Sequence, residues 1–300
     1  MIKGLVCAPF TAFDKNGKVD LGKVAEQARF YKSNGVSGVF ACGTTGEGSS
    51  LTMPEKKALF AEWAKQRDGR FSVIGFLGGT SVGDCVDLAL YAQEVGLDAV
   101  AMTAPYYQRP ATVKDLALTI SQVASAVPGM PFYFYHIPVL TKVAFTMIRL
   151  LEEVDGLVPN FAGIKYTDEN MMDYQLCLEY KNRKYNIMWG RDEMLLEALS
   201  IGADAFIGST YGYMAPLYQA ITKAFEAGDI KKAASLQFEA VRLITLLDKY
   251  GSGTGKGFMK AAGLDLGPCR RPLVTLEGER YEAFLQELPS TRFEEFKNRF

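Results

Sequence analysis

One lysine closes the apolar run Phe161-Ala-Gly-Ile-Lys165, and the polar residues Thr167 and Asp168 follow almost at once. In a strand, side chains alternate, so Phe161, Gly163 and Lys165 face one way and Ala162, Ile164 and Tyr166 the other. A lysine aimed into the body of a protein is expensive to keep charged. Two roles satisfy that constraint. Lys165 is salt-bridged inside the fold, with Glu47 or Asp192 as partner, or its free amine is a nucleophile that forms a Schiff base with a ketone. Taken alone, the lysine divides evenly between them.

Other residues bear on the choice. Tyr135 ends the apolar run that begins at Pro131. If that run is the strand beside Lys165, both side chains reach one mouth, and a phenol there relays protons during imine formation and C–C cleavage. Gly43-Thr44-Thr45-Gly46-Glu47-Gly48 reads either as a turn with capping hydroxyls or as a cradle for a carboxylate, with Thr44 and Thr45 as donors. Asp192 and Glu193 either cap the helix that follows or accept hydrogen bonds from a polyhydroxy substrate. Gly251-Ser-Gly-Thr-Gly-Lys256 has a glycine after its lysine and departs from the phosphate-loop spacing, so it reads as a loop. His136 is the sole histidine; no histidine metal cluster is possible, which leaves His136 a supporting place beside Tyr135.

The elements that must position these groups repeat. Short apolar runs at Gly4–Ala8, Val36–Ala41, Phe71–Phe76, Ala99–Thr103, Pro131–Tyr135, Ala162–Lys165, Asn186–Trp189 and Ala205–Ile207 read as strands. Amphipathic stretches lie between them, including Leu21–Asn34, Met53–Arg67, Val82–Val95, Val113–Val127, Met194–Ile201 and Met214–Ala227. Thr52 and Thr80 or Ser81 mark helix starts. Strands apolar on both faces belong to parallel sheets, and a repeat of about 30 residues is one βαβ unit. The pattern predicts an α/β fold, a (β/α)8 TIM barrel over 1–227, with a doubly wound sheet as runner-up. Beyond it, Asp229–Tyr250, Gly255–Gly263 and Glu277–Glu287 read as a helical tail (228–300) packed on the barrel.

Composition narrows the partners. Thirty-three basic and 34 acidic residues give a net charge of −1, with no basic cluster to suggest nucleic acid. Five dispersed cysteines without a C-x-x-C pair fit a reducing, cytoplasmic setting. The uncharged stretch Leu116–Thr141 has the length of a membrane span, but Pro128, Gly129, Pro131 and Pro138 break it, so no membrane association is expected.

Gly43-Thr-Thr-Gly-Glu47, Tyr135-His-Ile-Pro138, Gly163-Ile-Lys165 and Gly208-Ser-Thr-Tyr211 together resemble the pyruvate-dependent class I aldolases typified by dihydrodipicolinate synthase and N-acetylneuraminate lyase. The resemblance spans essentially the whole chain. Val139-Leu140-Thr141 stand where the synthase branch would place an arginine, and Gly190-Arg191-Asp192-Glu193 is similar to the sugar-binding segment of the lyase branch. What the resemblance implies is cleavage of N-acetylneuraminate to N-acetylmannosamine and pyruvate without a cofactor. Dihydrodipicolinate synthesis or cleavage of a 2-keto-3-deoxy sugar acid is the alternative. It further implies that Lys165 forms the imine and Tyr135 moves the proton at the C4 hydroxyl. Thr44 and Thr45 would hold the carboxylate, and Thr167, Gly190, Asp192, Glu193 and Ser209 the hydroxylated chain. Arg191 has no assigned part. Tyr107 resembles the family tyrosine that reaches a neighbouring subunit's site, which implies a homotetramer.

Overall fold

The computed structural model describes all 300 residues. Eight strands, β1 (Gly4–Cys7), β2 (Gly38–Ala41), β3 (Ser72–Gly78), β4 (Ala99–Thr103), β5 (Phe132–His136), β6 (Phe161–Tyr166), β7 (Asn186–Trp189) and β8 (Ala205–Gly208), pair in sequence order and all in parallel. β8 returns to β1, with Gly4 opposite Ala205 and Cys7 opposite Gly208, so the sheet closes into a barrel. The open-sheet alternative is thereby removed. Eight α-helices and shorter turns connect the strands: α1 (Lys23–Ser33), α2 (Met53–Ala64), α3 (Val82–Glu94), α4 (Val113–Ala124), α5 (Pro138–Thr141) with α6 (Met147–Val154), α7 (Met171–Glu179) and α8 (Leu195–Ser200). After β8 come α9 (Tyr211–Glu226), α10 (Ile230–Tyr250), α11 (Thr254–Ala261), α12 (Gly278–Glu287) and the single turn α13 (Phe293–Phe296). No helix is long and apolar enough to cross a membrane.

Local chemistry accounts for the boundaries. Thr52 and Glu55 form a reciprocal capping box at the start of α2, with Pro54 in its first turn. Ser81, rather than Thr80, caps α3 by accepting from the Asp84 N–H. The strands bury both faces: one core lies between barrel and helices, and a smaller one fills the barrel with Val6, Phe40, Ile74, Phe76, Tyr133, Tyr135 and Met188 among others.

One alternation departs from the expected pattern. On β6, Phe161 pairs with Phe132 but Gly163 pairs with Tyr133, so Ala162 is an extra, bulged residue. Phe161 therefore joins the outer core and Ala162 packs against the inner one, the reverse of a regular strand. Beyond the bulge the alternation resumes and Lys165 points inward. Gly163 has to be glycine, because a Cβ there would sit 1.9 Å from the Asn186 carbonyl oxygen.

The tail meets the barrel through specific hydrogen bonds. Gln237 of α10 donates to the Asp192 carbonyl and accepts from the Leu196 N–H. Buried Asn298 mends a kink in α9, where Met214 leaves helical geometry ahead of Pro216. Proline has no N–H to offer the Gly212 carbonyl one turn back, and Asn298 Nδ2 supplies the donor at 3.0 Å. The same side chain donates to the Tyr211 carbonyl and accepts from the Ala215 N–H.

Candidate functional site

Tyr135 and Lys165 are direct register partners on β5 and β6. The Lys165 amine lies 4.0 Å from the centroid of the Tyr135 ring and 4.3 Å from that of Phe40, and the residue is only 5% exposed. The two carboxylates that could have neutralised it are engaged elsewhere. Glu47 pairs with Lys256 at 2.9 Å, and Asp192 accepts from the Thr210 N–H and hydroxyl at 3.0 and 2.6 Å. Lys165 pairs with neither. Of its two readings, the internal salt bridge to these residues is the one the structure contradicts.

Tyr135 is held on every side. Its ring meets Phe40 and Phe76 edge-on, its carbonyl accepts from the Thr103 hydroxyl at 2.9 Å, and its own hydroxyl lies 3.5 Å from that of Thr44. Thr44 stands at the junction of two cavities. The smaller, about 230 Å³, is walled by Gly43, Thr44, Phe76, Tyr135, Leu140 and Thr141 among others. The larger, about 480 Å³, is bounded by Thr44, Thr45 and Ser209 on the barrel side and by Asp248, Ser252 and Cys269 of the tail on the other. Lys165 packs against the Tyr135 ring and lines neither opening.

The remaining expected residues divide into two groups. Thr167 and Gly190 sit together on the adjoining rim. The Thr167 N–H donates to the His136 carbonyl, while its buried hydroxyl has no partner, and a Cβ at Gly190 would fall 2.0 Å from that hydroxyl. Asp192 instead turns its carboxylate into the junction of β8 and α9, close enough to Gly208 that a Cβ there would lie 1.7 Å from Oδ1. Burial raises the Asp192 carboxyl above its ordinary range, partly offset by the hydrogen bonds from Thr210. Burial likewise raises half-buried Glu193, which pairs with Arg191 at 3.2 Å; Arg191 also pairs with Glu169. Tyr107 is 84% exposed and reaches neither cavity of its own chain.

His136 is buried against Tyr166, with Nε2 3.9 Å from Asp168. The nearby His136 side chain is the largest influence holding the Asp168 carboxyl below the ordinary range. No group of three or more His, Cys, Asp or Glu side chains is arranged to hold a metal ion.

Comparison with known proteins adds a second kind of observation. The sequence profile of the Dihydrodipicolinate synthetase family matches residues 1–290. The chain belongs to that family. Among curated proteins similar to this dihydrodipicolinate synthetase family member, N-acetylneuraminate lyase A of Xenopus laevis is 37% identical over 280 residues, 91% of each chain. Human N-acetylneuraminate lyase is 34% identical, covering 98% of this chain and 94% of that one. The solved structure of N-acetylneuraminate lyase from Proteus mirabilis superposes with a TM-score of 0.94 at 31% identity, covering 97% of this chain and 99% of the other.

Several members of the site escaped the sequence pattern. Thr103 and Phe40 had a usable signal, since both lie on strands already recognised and Thr103 is the last residue of β4. The tail residues that wall the larger cavity had none, because only the folded path brings them to Thr44 and Thr45.

Proposed function

We propose that this chain is a class I aldolase that cleaves N-acetylneuraminate into N-acetylmannosamine and pyruvate. The observation that carries the reading is an amine without a carboxylate partner, Lys165, held against a tyrosine whose hydroxyl lies 3.5 Å from Thr44. The lyases among its relatives support the choice of substrate.

The chemistry follows from the residue types. The Lys165 amine adds to the C2 ketone of the open-chain sugar acid and loses water, giving a protonated imine. Tyr135 removes the C4 hydroxyl proton as the C3–C4 bond breaks, and the bonding electrons pass into an enamine. N-acetylmannosamine leaves as the aldehyde. Protonation at C3 and hydrolysis then return the amine and release pyruvate. In this reading Thr44 and Thr45 bind the carboxylate, while Thr167, Gly190, Asp192, Glu193 and Ser209 meet the hydroxylated chain. Asp192 also holds Thr210 next to Ser209.

Leu140 and Thr141 line the smaller cavity, so that wall offers no guanidinium to a second carboxylated substrate, which favours lyase over synthase chemistry. The exposure of Tyr107 supports a homotetramer in which it enters a neighbour's site, and the barrel (1–227) and tail (228–300) act as one catalytic body. The five free cysteines support a cytoplasmic location. The test is pyruvate release from N-acetylneuraminate against 2-keto-3-deoxygluconate. Preference for the first is expected; preference for the second would move the chain to the sugar-acid aldolases.

A further inference from the structure

We propose that Lys256 and Glu47 are positioning residues through which the C-terminal tail sets the shape of the Thr44–Thr45 carboxylate cradle. The inference deepens the aldolase reading and rests on it. The starting point is the Gly-rich segment around Lys256. Residues 251–253 form a loop, but Lys256 lies in the first turn of α11 and points inward, its side chain 5% exposed and that of Glu47 2% exposed.

The pair closes a larger set of contacts. Lys256 Nζ lies 2.9 Å from Glu47, donates to the Pro268 carbonyl at 2.6 Å and packs over the Phe13 ring. The second Glu47 oxygen accepts from the Arg270 N–H at 2.8 Å. The Arg270 guanidinium bonds the carbonyls of Gly17 and Ser50 and the carboxylate of Glu55. Two tail residues thus grip the loop after β2 from its far side.

The loop needs such a grip. Glu47 has φ +55° and Cys42 φ +59°, left-handed conformations that strain a residue other than glycine. Between them the chain turns tightly: the Glu47 N–H donates to the Thr44 carbonyl and the Gly48 N–H to that of Gly43. A Cβ at Gly48 would lie 1.8 Å from the Cys42 carbonyl oxygen. Thr44 and Thr45 form the crest of this turn, and a shift of Glu47 moves their donors directly. A buried ion pair is seldom a net source of stability, so its presence beneath a ligand-binding turn points to geometry.

The test titrates pyruvate against the native enzyme with borohydride trapping, reading the Lys165 adduct by mass spectrometry, for Lys256→Met, the doubly neutralised Glu47→Gln/Lys256→Met, and the exposed control Lys260→Met. Circular dichroism identifies the variants that fold. The half-saturating pyruvate concentration should rise at least about tenfold in a folded pair variant, with the adduct at saturation within about twofold of wild type and Lys260→Met unchanged. A folded pair variant that traps pyruvate at the wild-type concentration overturns the inference. Absence of any adduct in the wild-type enzyme would instead overturn the aldolase reading beneath it.

Discussion

The amine of Lys165 rests 4.0 Å from the ring of Tyr135, its register partner on the next strand, and the Tyr135 hydroxyl is turned toward Thr44. Ring and hydroxyl therefore serve different neighbours. The ring face shields the amine from water, whereas the hydroxyl is available for proton transfer.

Tyr135→Phe separates these two contributions. The ring remains against Lys165, so pyruvate should still be trapped on the lysine. Cleavage of N-acetylneuraminate should fall about 10²–10⁴-fold, the usual range for loss of a general acid–base group. Steady-state turnover beside an adduct assay measures both; unimpaired cleavage would remove Tyr135 from the proton path.

Gly208 tests the placement of Asp192. A methyl group at 208 would collide with Oδ1, and either the carboxylate or β8 has to move. Gly208→Ala should destabilise the fold by about 1–3 kcal/mol, as overpacking does, and disturb Ser209 as well. Chemical denaturation with KM measured in parallel reads both effects. Wild-type values for both would mean that Asp192 does not pack there.

Asn298 stands in for bonds that Pro216 prevents. Its replacement by alanine leaves the Tyr211 and Gly212 carbonyls and the Ala215 N–H without these partners in a buried setting. A loss of about 2–4 kcal/mol is expected in urea unfolding. A loss below about 1 kcal/mol would show that the kink is satisfied some other way.

Acid should loosen the grip of the tail on α2. The Arg270 guanidinium, ahead of the Thr52 capping bonds, lowers the Glu55 carboxyl from 4.5 to about 2. A carboxyl lowered on folding contributes stability in full above its unfolded value and loses it as pH falls through its folded one. The contribution is therefore present above pH 4.5 and fades toward pH 2. The difference in urea midpoint between wild type and Glu55→Gln should shrink across that window. A constant difference would contradict the assignment.

The barrel was legible because each strand is buried on both faces and each helix carries its own periodicity, so strand-by-strand reading needs only local information. Lys165 and Tyr135 were legible for a related reason: inward-facing polar groups in apolar strands stand out. The bulge at Ala162 was not, since one extra residue in a strand has no composition of its own. Nor was the fate of Glu47. Nothing local distinguishes Lys165 from Lys256 as its partner, and the choice is made by a chain path of more than 200 residues. Asp192 shows the same limit, because its orientation depends on a glycine at the end of the next strand.

The central claim is that Lys165 is the amine that forms the imine. Borohydride added to the enzyme turning over N-acetylneuraminate, followed by peptide mass mapping, tests it most directly. The account predicts a reduced three-carbon adduct on Lys165, with Lys165→Ala giving neither adduct nor pyruvate. Pyruvate release with no adduct at Lys165, or with the adduct on another lysine, would contradict it.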